Sequence, residues 1–234
     1  MGAIFRRELK SYFTSPIGYI FLAAFFAYSG IMFSVYSLES GYTKLDSLFS
    51  SLLIIIIVLV PILTMRTMSE EKRSKTDQCL LTAPVSLMGI VLGKFFAAFI
   101  IYLIGMAITG VFAVVVSAFG TPDWNVIVGN IVALALIGGA YIAIGIFCSS
   151  FTENQIVSAV ICFIALLGVS FLSTVGSIIP VSWIETVFNK ISFGERYYSF
   201  TYGLFDFSNV VFFISAIVAF LFLTVRVLEK RRWG

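Results

Sequence analysis

Charged positions divide this chain into long apolar blocks. No Asp, Glu, Lys or Arg occurs between Lys10 and Glu39, Asp46 and Arg66, Lys94 and Asp123, Asp123 and Glu153, Glu153 and Glu185, or Asp206 and Arg226. Each block holds 19 residues or more and is filled with Phe, Ile, Leu, Val, Ala and Gly. A helix rising about 1.5 Å per residue needs about 20 apolar residues to cross a hydrocarbon core of roughly 30 Å. The blocks therefore predict six transmembrane helices, over about residues 17–38, 47–66, 88–117, 124–149, 154–174 and 207–227. The expected fold class is an all-α polytopic membrane protein, a single transmembrane domain over residues 1–234.

Composition agrees. Hydrophobic residues make up 60% of the chain and charged residues 12%, against about 25% charged in a soluble domain. Six spans leave no room for an independent soluble domain. The net charge of +3 is no nucleic-acid signal, because the basic residues flank spans and form no single patch; no nucleic-acid partner is expected.

Placement of Lys and Arg sets the orientation. With a cytoplasmic N-terminus, six spans return the C-terminus to the same side. Arg6, Arg7, Lys10, Arg66, Lys72, Arg73, Lys75, Lys94, Arg226, Lys230, Arg231 and Arg232 then all lie inside, twelve of the 15 basic residues. Only Lys44, Lys190 and Arg196 lie outside, as the positive-inside rule prefers. Trp124, Trp183 and Trp233 fall near span ends or in the outer loop, where amphipathic rings favour the interface.

The N-terminal stretch has no small-x-small cleavage site and so is not read as a removable signal. Ile4, Phe5, Leu9, Tyr12 and Phe13 recur at roughly helical spacing against Arg6, Arg7, Glu8 and Lys10. This predicts an interfacial helix over residues 1–15 that turns into the first span at Ser15-Pro16. The alternative is a charged flank that only sets topology.

Several chemistries are excluded. The chain has no histidine, which removes His-ligated haem, His-based zinc protease sites and His proton relays. No carboxylate or cation sits in the middle of a span, where proton-driven carriers bury one. Cys79, Cys148 and Cys162 lack metal spacing and read as reduced, small hydrophobes. No nucleophile–base pair stands out, so the chain is not expected to be an enzyme.

Energy must then come from elsewhere, and the segment between spans two and three is the candidate coupling point. Thr67 and Glu70 have capping-box spacing, which starts a helix near Met68. Glu70 and Glu71 fall in its first turn and Lys72, Arg73 and Lys75 follow, matching the helix dipole. Pro84 disfavours helix at Ala83. A short helix polar on nearly all sides has no membrane face to bury and suits docking to a soluble partner. The alternative is a solvated connector.

The run Met65-Arg66, Ser69-Glu-Glu-Lys-Arg73, Thr76, Leu80-Leu-Thr-Ala-Pro-Val85 and Leu92-Gly-Lys-Phe95 resembles the ABC-2 type permeases, closest to their gliding-motility-type branch. Phe5-Arg-Arg-Glu-Leu-Lys10, Ser15-Pro-Ile-Gly-Tyr19 and Cys148-Ser-Ser-Phe-Thr-Glu-Asn-Gln155 also resemble that branch. The sequence departs from it at Lys75, where Gly is expected, and at Gln78, where an acidic residue is expected.

The resemblance implies the permease subunit of an ATP-binding-cassette exporter in the plasma membrane of a prokaryote. Two cytoplasmic ATPase subunits and a second permease chain, identical or related, complete the complex, with membrane lipids around it. The chain lacks a G-x-x-x-x-G-K-[ST] loop and is expected to bind no cofactor itself; ATP and Mg belong to the partner. By the resemblance, Ser69, Glu70, Glu71, Lys72, Arg73, Lys75, Thr76 and Asp77 form the coupling helix against the ATPase. Phe5, Arg6, Glu8, Leu9 and Tyr12 of the interfacial helix contact the same partner, and Thr152, Glu153 and Asn154 form a second inner turn.

Between about Thr174 and Phe207 the polarity is mixed. Ser182 and Glu185 have the spacing to cap a short helix with Trp183, Ile184, Val187, Phe188 and Ile191 on one face, ended by Gly194. In ABC-2 exporters the matching region holds re-entrant helices that close the outer mouth, which makes Trp183, Phe188, Tyr197 and Tyr198 outer-gate candidates. A purely interfacial helix is the alternative. Gly105, Gly110, Gly138, Gly139, Gly145 and Gly168 suit close helix packing, and Pro61 suits a kink in span two.

Two other functions compete: a membrane anchor or scaffold driven by the same ATPase without transport, and an ion-coupled carrier or channel. The absence of mid-span charge argues against the latter. An apolar, aromatic interior suits an amphipathic or lipid-linked cargo better than a small ion.

Overall fold

The computed structural model of the chain describes residues 2–39, 45–76, 85–120, 123–178, 182–201 and 206–233. Asp77, Gln78, Cys79, Pro84 and Tyr202, singled out by sequence, lie outside the described residues, as do the side chains of Ser182, Ile184, Glu185 and Trp233. Among the described residues every regular element is helical.

The elements are α1 (Gly2–Thr14), α2 (Pro16–Phe33, continued by a π-helical turn Ser34–Glu39), α3 (Asp46–Thr64), α4 (Arg66–Arg73), α5 (Leu87–Phe119), α6 (Trp124–Ser149), α7 (Gln155–Ser170), α8 (Leu172–Ile178), α9 (Ser182–Ile191), α10 (Phe193–Thr201) and α11 (Phe207–Trp233). Local chemistry sets several starts. Pro16 occupies the first turn of α2, where its missing N–H costs nothing. Ser86, Asp123 and Asn154 each accept a first-turn N–H with their side chains, from Gly89 at 3.2 Å, Asn125 at 3.1 Å and Ile156 at 3.0 Å, and so cap α5, α6 and α7.

Among the described residues five helices are long and apolar enough to cross a membrane: Pro16–Ser37, Asp46–Arg73, Leu87–Phe119, Trp124–Ser149 and Phe207–Arg232. They match five of the six expected spans. The second is longer than expected because α3 runs into α4 with a break only at Met65, four residues after Pro61. The expected span over 154–174 is instead a 16-residue helix, α7, about 24 Å long, bent at Phe171 into α8. The bend follows Ser170, whose hydroxyl bonds Leu166 O at 2.6 Å and Tyr141 Oη at 2.6 Å, and whose carbonyl accepts from Ser192 Oγ at 3.3 Å.

The bundle is organised around α6, which packs against α3, α5, α7, α10 and α11. Glycine permits two of its closest approaches: a Cβ at Gly138 would overlap the Tyr102 ring, and one at Gly145 would overlap the Thr64 hydroxyl. Tyr102 itself donates to Leu134 O at 2.7 Å.

The segment between α7 and α11 departs from expectation. α9 ends at Ile191, and Gly194 lies inside α10, where a Cβ would stand 2.6 Å from Ser170 O. Gly194 is therefore a packing residue and not the helix stop. Phe193 stacks on Tyr141 at 6.0 Å, Tyr197 donates to Phe49 O at 3.0 Å, and Thr201 donates to Asn130 at 3.2 Å. α10 thus lies along the stretch of α6 from Tyr141 to Asn130, about 16 Å of helix, inside the bundle. Of the α9 face expected to be apolar, Trp183 is 68% exposed, Val187 and Ile191 are also exposed, and Phe188 is half-buried.

Candidate functional site

One end of the bundle gathers α1, α4, the start of α5, the turn between α6 and α7, and the end of α11. Several of its polar side chains are engaged between elements distant in sequence. At the centre is Lys94, 1% exposed. Its Nζ lies 3.2 Å from Glu8 of α1 and 2.9 Å from Glu71 of α4, and donates to Thr67 O at 2.6 Å. Arg7 closes the cluster by pairing with the same two carboxylates, with Glu8 at 2.6 Å and also with Glu71. Two cations and two carboxylates leave no net charge.

Electrostatics follow from this arrangement. Burial alone would raise the Glu8 carboxyl, but Lys94, and after it Arg7, hold it below the ordinary carboxylate range. For Arg7, burial works against the charge and is outweighed by Glu8 and Glu71, which raise its value. Breaking a buried pair on one side strands the other charge, so such clusters act as units. Beside the cluster, Arg66 bonds Ser11 at 3.0 Å and Glu70 at 2.8 Å. These groups line a cleft of about 330 Å³ that also exposes Ser74 and Thr76. Its cations are already paired, so the cleft is not a free anion site.

α4 is held on its other side by Ser149, the last residue of α6. Ser149 Oγ accepts the Met68 N–H at 3.0 Å and shares a hydrogen bond with Thr67 Oγ1 at 3.1 Å. Thr67 donates to Thr64 O at 2.7 Å and Glu70 faces Arg66. The expected Thr67–Glu70 capping box therefore does not form; a serine 81 positions away supplies the cap. Although expected to be polar on nearly all sides, α4 buries one face, Thr67, Met68 and Ser69, against the bundle.

The far end of α4 closes on Lys75, which has φ 58°. Thr76 N–H donates to Glu71 O at 3.0 Å and Lys75 N–H to Lys72 O at 3.2 Å, the paired bonds of a Schellman cap. The left-handed residue of that cap is ordinarily Gly. The expectation of Gly at this position thus has a backbone cause, and Lys75 carries the strain in its place.

The sequence-predicted residues separate by burial. Arg6, Arg73, Lys75 and Thr76 are exposed. Phe5 and Leu9 pack against the core, Tyr12 is buried and donates to Leu63 O at 3.0 Å, and Ser69 is fully buried with its hydroxyl on Met65 O. Tyr12 and Ser69 therefore present no surface to a partner in this conformation. Glu8, Glu70 and Glu71 are turned into ion pairs of this chain. Lys72 bonds Phe151 O at 3.2 Å and lies 3.8 Å from Glu153, which joins α4 to the turn of Thr152, Glu153 and Asn154. Arg231 of α11 donates to Ser150 O in that turn.

At the opposite end Trp183 and Tyr198 are exposed, Phe188 is half-buried and Tyr197 is buried. The gate candidates are not one cluster. Arg196, which the sequence reading left aside, bonds Lys190 O and Asn209 Oδ1, each at 2.8 Å, and stacks over Phe212 at 4.0 Å, tying α9, α10 and α11 together.

Sequence reasoning also left Lys94, Arg7, Arg66 and Ser149 without roles. A signal existed for Lys94: it is a cation inside the predicted 88–117 span, between Leu92 and Phe95, and such a residue demands a partner.

A family model described as ABC-2 family transporter protein matches residues 28–226. No curated protein matches the chain. The matched stretch includes α4, Lys94 and the turn after α6, while α1 precedes it. The chain belongs to the ABC-2 family of transporter proteins, the multi-pass membrane components of ABC transporters, which normally pair with an ATP-binding subunit.

Proposed function

We propose that this ABC-2 family member is the permease subunit of an exporter driven by separate cytoplasmic ATPase subunits, docked on α4 and α1, with a second permease chain beside it. The observation that carries this reading is the charged end of the bundle. α4 continues a membrane-crossing helix, is anchored by its buried side to α1, α5 and α6, and leaves Arg73, Lys75 and Thr76 exposed at its tip. A soluble partner pressing on that tip acts on an element already joined to the membrane helices.

In this reading the charged end is cytoplasmic, in agreement with the Lys and Arg distribution. The bent pair α7–α8 makes the fifth of six passes, and both termini lie inside, at the plasma membrane of a prokaryote. α9 and α10 are the elements at the outer mouth. ATP and Mg reside on the partner.

The test is purification of the tagged chain in mild detergent. An ATP-binding subunit should co-purify in stoichiometric amount and be lost when residues 70–77 are replaced by a Gly/Ser run, with membrane insertion unchanged. A homogeneous chain without any ATPase, under conditions that preserve known complexes, overturns the proposal. ATP turnover that rises with a candidate cargo then separates an exporter from a scaffold using the same ATPase.

A further inference from the structure

Lys94 stands at a junction of three elements. It belongs to α5, its two carboxylate partners belong to α1 and α4, and it also takes the Thr67 carbonyl in the first turn of α4. Direct packing supplies only part of this connection: α1 lies along α5, but α4 packs chiefly on α6 and α7. The link from α4 to α5 passes through the Lys94 ammonium. Being 1% exposed, Lys94 cannot touch a docked partner, so any effect of changing it must arise inside the chain.

We propose that Lys94 is a positioning residue that makes α1, α4 and the start of α5 move as one body, so that a displacement imposed on the α4 tip reaches α5. This rests on the reading of α4 as the ATPase-facing element. Within it, the mechanical output is divided by chemistry: Ser149 passes motion to α6 through neutral hydrogen bonds, and Lys94 passes it to α5 and α1 through charge. Glu71 is the arm to α4 and Glu8 the arm to α1. Arg7, 52% exposed at its side chain, bridges the two carboxylates from the outside and does not reach α5. Losing Lys94 therefore leaves α1 tied to α4 but uncouples both carboxylates from α5.

The experiment places spin labels at cysteines substituted for Ser74, which follows α4, and Met88 on α5, both exposed, after Cys79, Cys148 and Cys162 are replaced by Ser. In the chain alone, the distance between labels should be narrowly distributed with Lys94 present, at least about twofold broader in Lys94→Met, and narrow again in Lys94→Arg, which keeps the cation. In the complex with its ATPase, trapping with ATP and vanadate should change the signal at both labels. In Lys94→Met the α4 label should respond as in the parent and the α5 label less, because only the packing of α1 along α5 still connects them.

Glu71→Gln, which cuts one arm and spares the buried lysine's bond to Glu8, should give the same split and serves if Lys94→Met does not insert. A purely structural role would lower the yield of complex without separating the two labels. An unchanged distribution in the chain alone, or an α5 label in Lys94→Met that responds as in the parent, overturns the proposal. If no ATPase co-purifies, the reading of α4 fails, and the chain-alone measurement still decides whether Lys94 joins the three elements.

Discussion

Two buried serines provide the sharpest check on the anchoring of α4. Ser149 and Ser158 are both fully buried, both in helices, and lie nine positions apart. Ser149 Oγ takes the Met68 N–H and bonds the Thr67 hydroxyl. Ser158 Oγ has no hydrogen-bond partner among the described residues. Replacing either by Ala removes one oxygen atom, with opposite consequences. In Ser149→Ala the Thr67 hydroxyl keeps its bond to Thr64 O, so a single buried donor, the Met68 N–H, is stranded. Stranding a buried donor costs about 1–3 kcal/mol, and loss of a helix cap costs about 0.5–2 kcal/mol, so about 1–2 kcal/mol is expected.

For a chain of this length each kcal/mol shifts Tm by about 2–4 °C, which places Ser149→Ala about 2–8 °C below the parent. Ser158→Ala removes an unsatisfied hydroxyl from an apolar site and should be neutral or stabilising. The assay is thermal unfolding in detergent, read by a thiol-reactive dye that gains access to the buried Cys148 and Cys162. A Ser149→Ala protein melting with the parent, or a Ser158→Ala protein falling as far as Ser149→Ala, would refute the capping of α4 by α6.

Three further outcomes follow from the same geometry. Lys75→Gly should raise stability by about 1 kcal/mol by relieving the left-handed conformation at φ 58°, whereas Lys75→Ala should give no gain; the dye assay reads both. Gly138→Ala should cost about 1–3 kcal/mol through overpacking, because its Cβ overlaps the Tyr102 ring, and the yield of folded protein together with Tm checks it. Because the Glu8 carboxyl is held below the ordinary 4.5 by Lys94 and Arg7, its contribution is complete above that pH and lost as pH falls through the lower folded value. A label on α1 should therefore gain mobility only in that acid window, and Glu8→Gln should show the higher mobility at every pH.

Length was the most legible quantity in this sequence. The charge-free blocks that follow Lys10, Asp46, Lys94, Asp123 and Asp206 anticipated the long helices because helix rise and bilayer thickness are both fixed lengths. Pro16 was legible for a local backbone reason, whereas Lys75 stood out only as a departure from the family resemblance, and its backbone cause needed the structure. The bend at Phe171 was not, since residues 154–174 stay apolar through it and its cause is hydrogen bonding to Tyr141 and Ser192. The burial of Tyr197 was equally hidden, as its partner Phe49 is 148 positions away. An underlying reason joins these cases. Lipid and protein interior are comparably apolar, so a hydrophobic pattern measures how far a helix runs and says little about which side faces its neighbours. The polar residues carry that information instead, because each must find a partner within the protein. Lys94, Ser149 and Arg196 are such residues: Lys94 and Arg196 each mark a place where three elements meet, and Ser149 joins α6 to α4. A single lysine that the apolar pattern does not need, set among Leu92, Phe95 and Phe96, is therefore the position where this sequence specifies how its charged end is assembled.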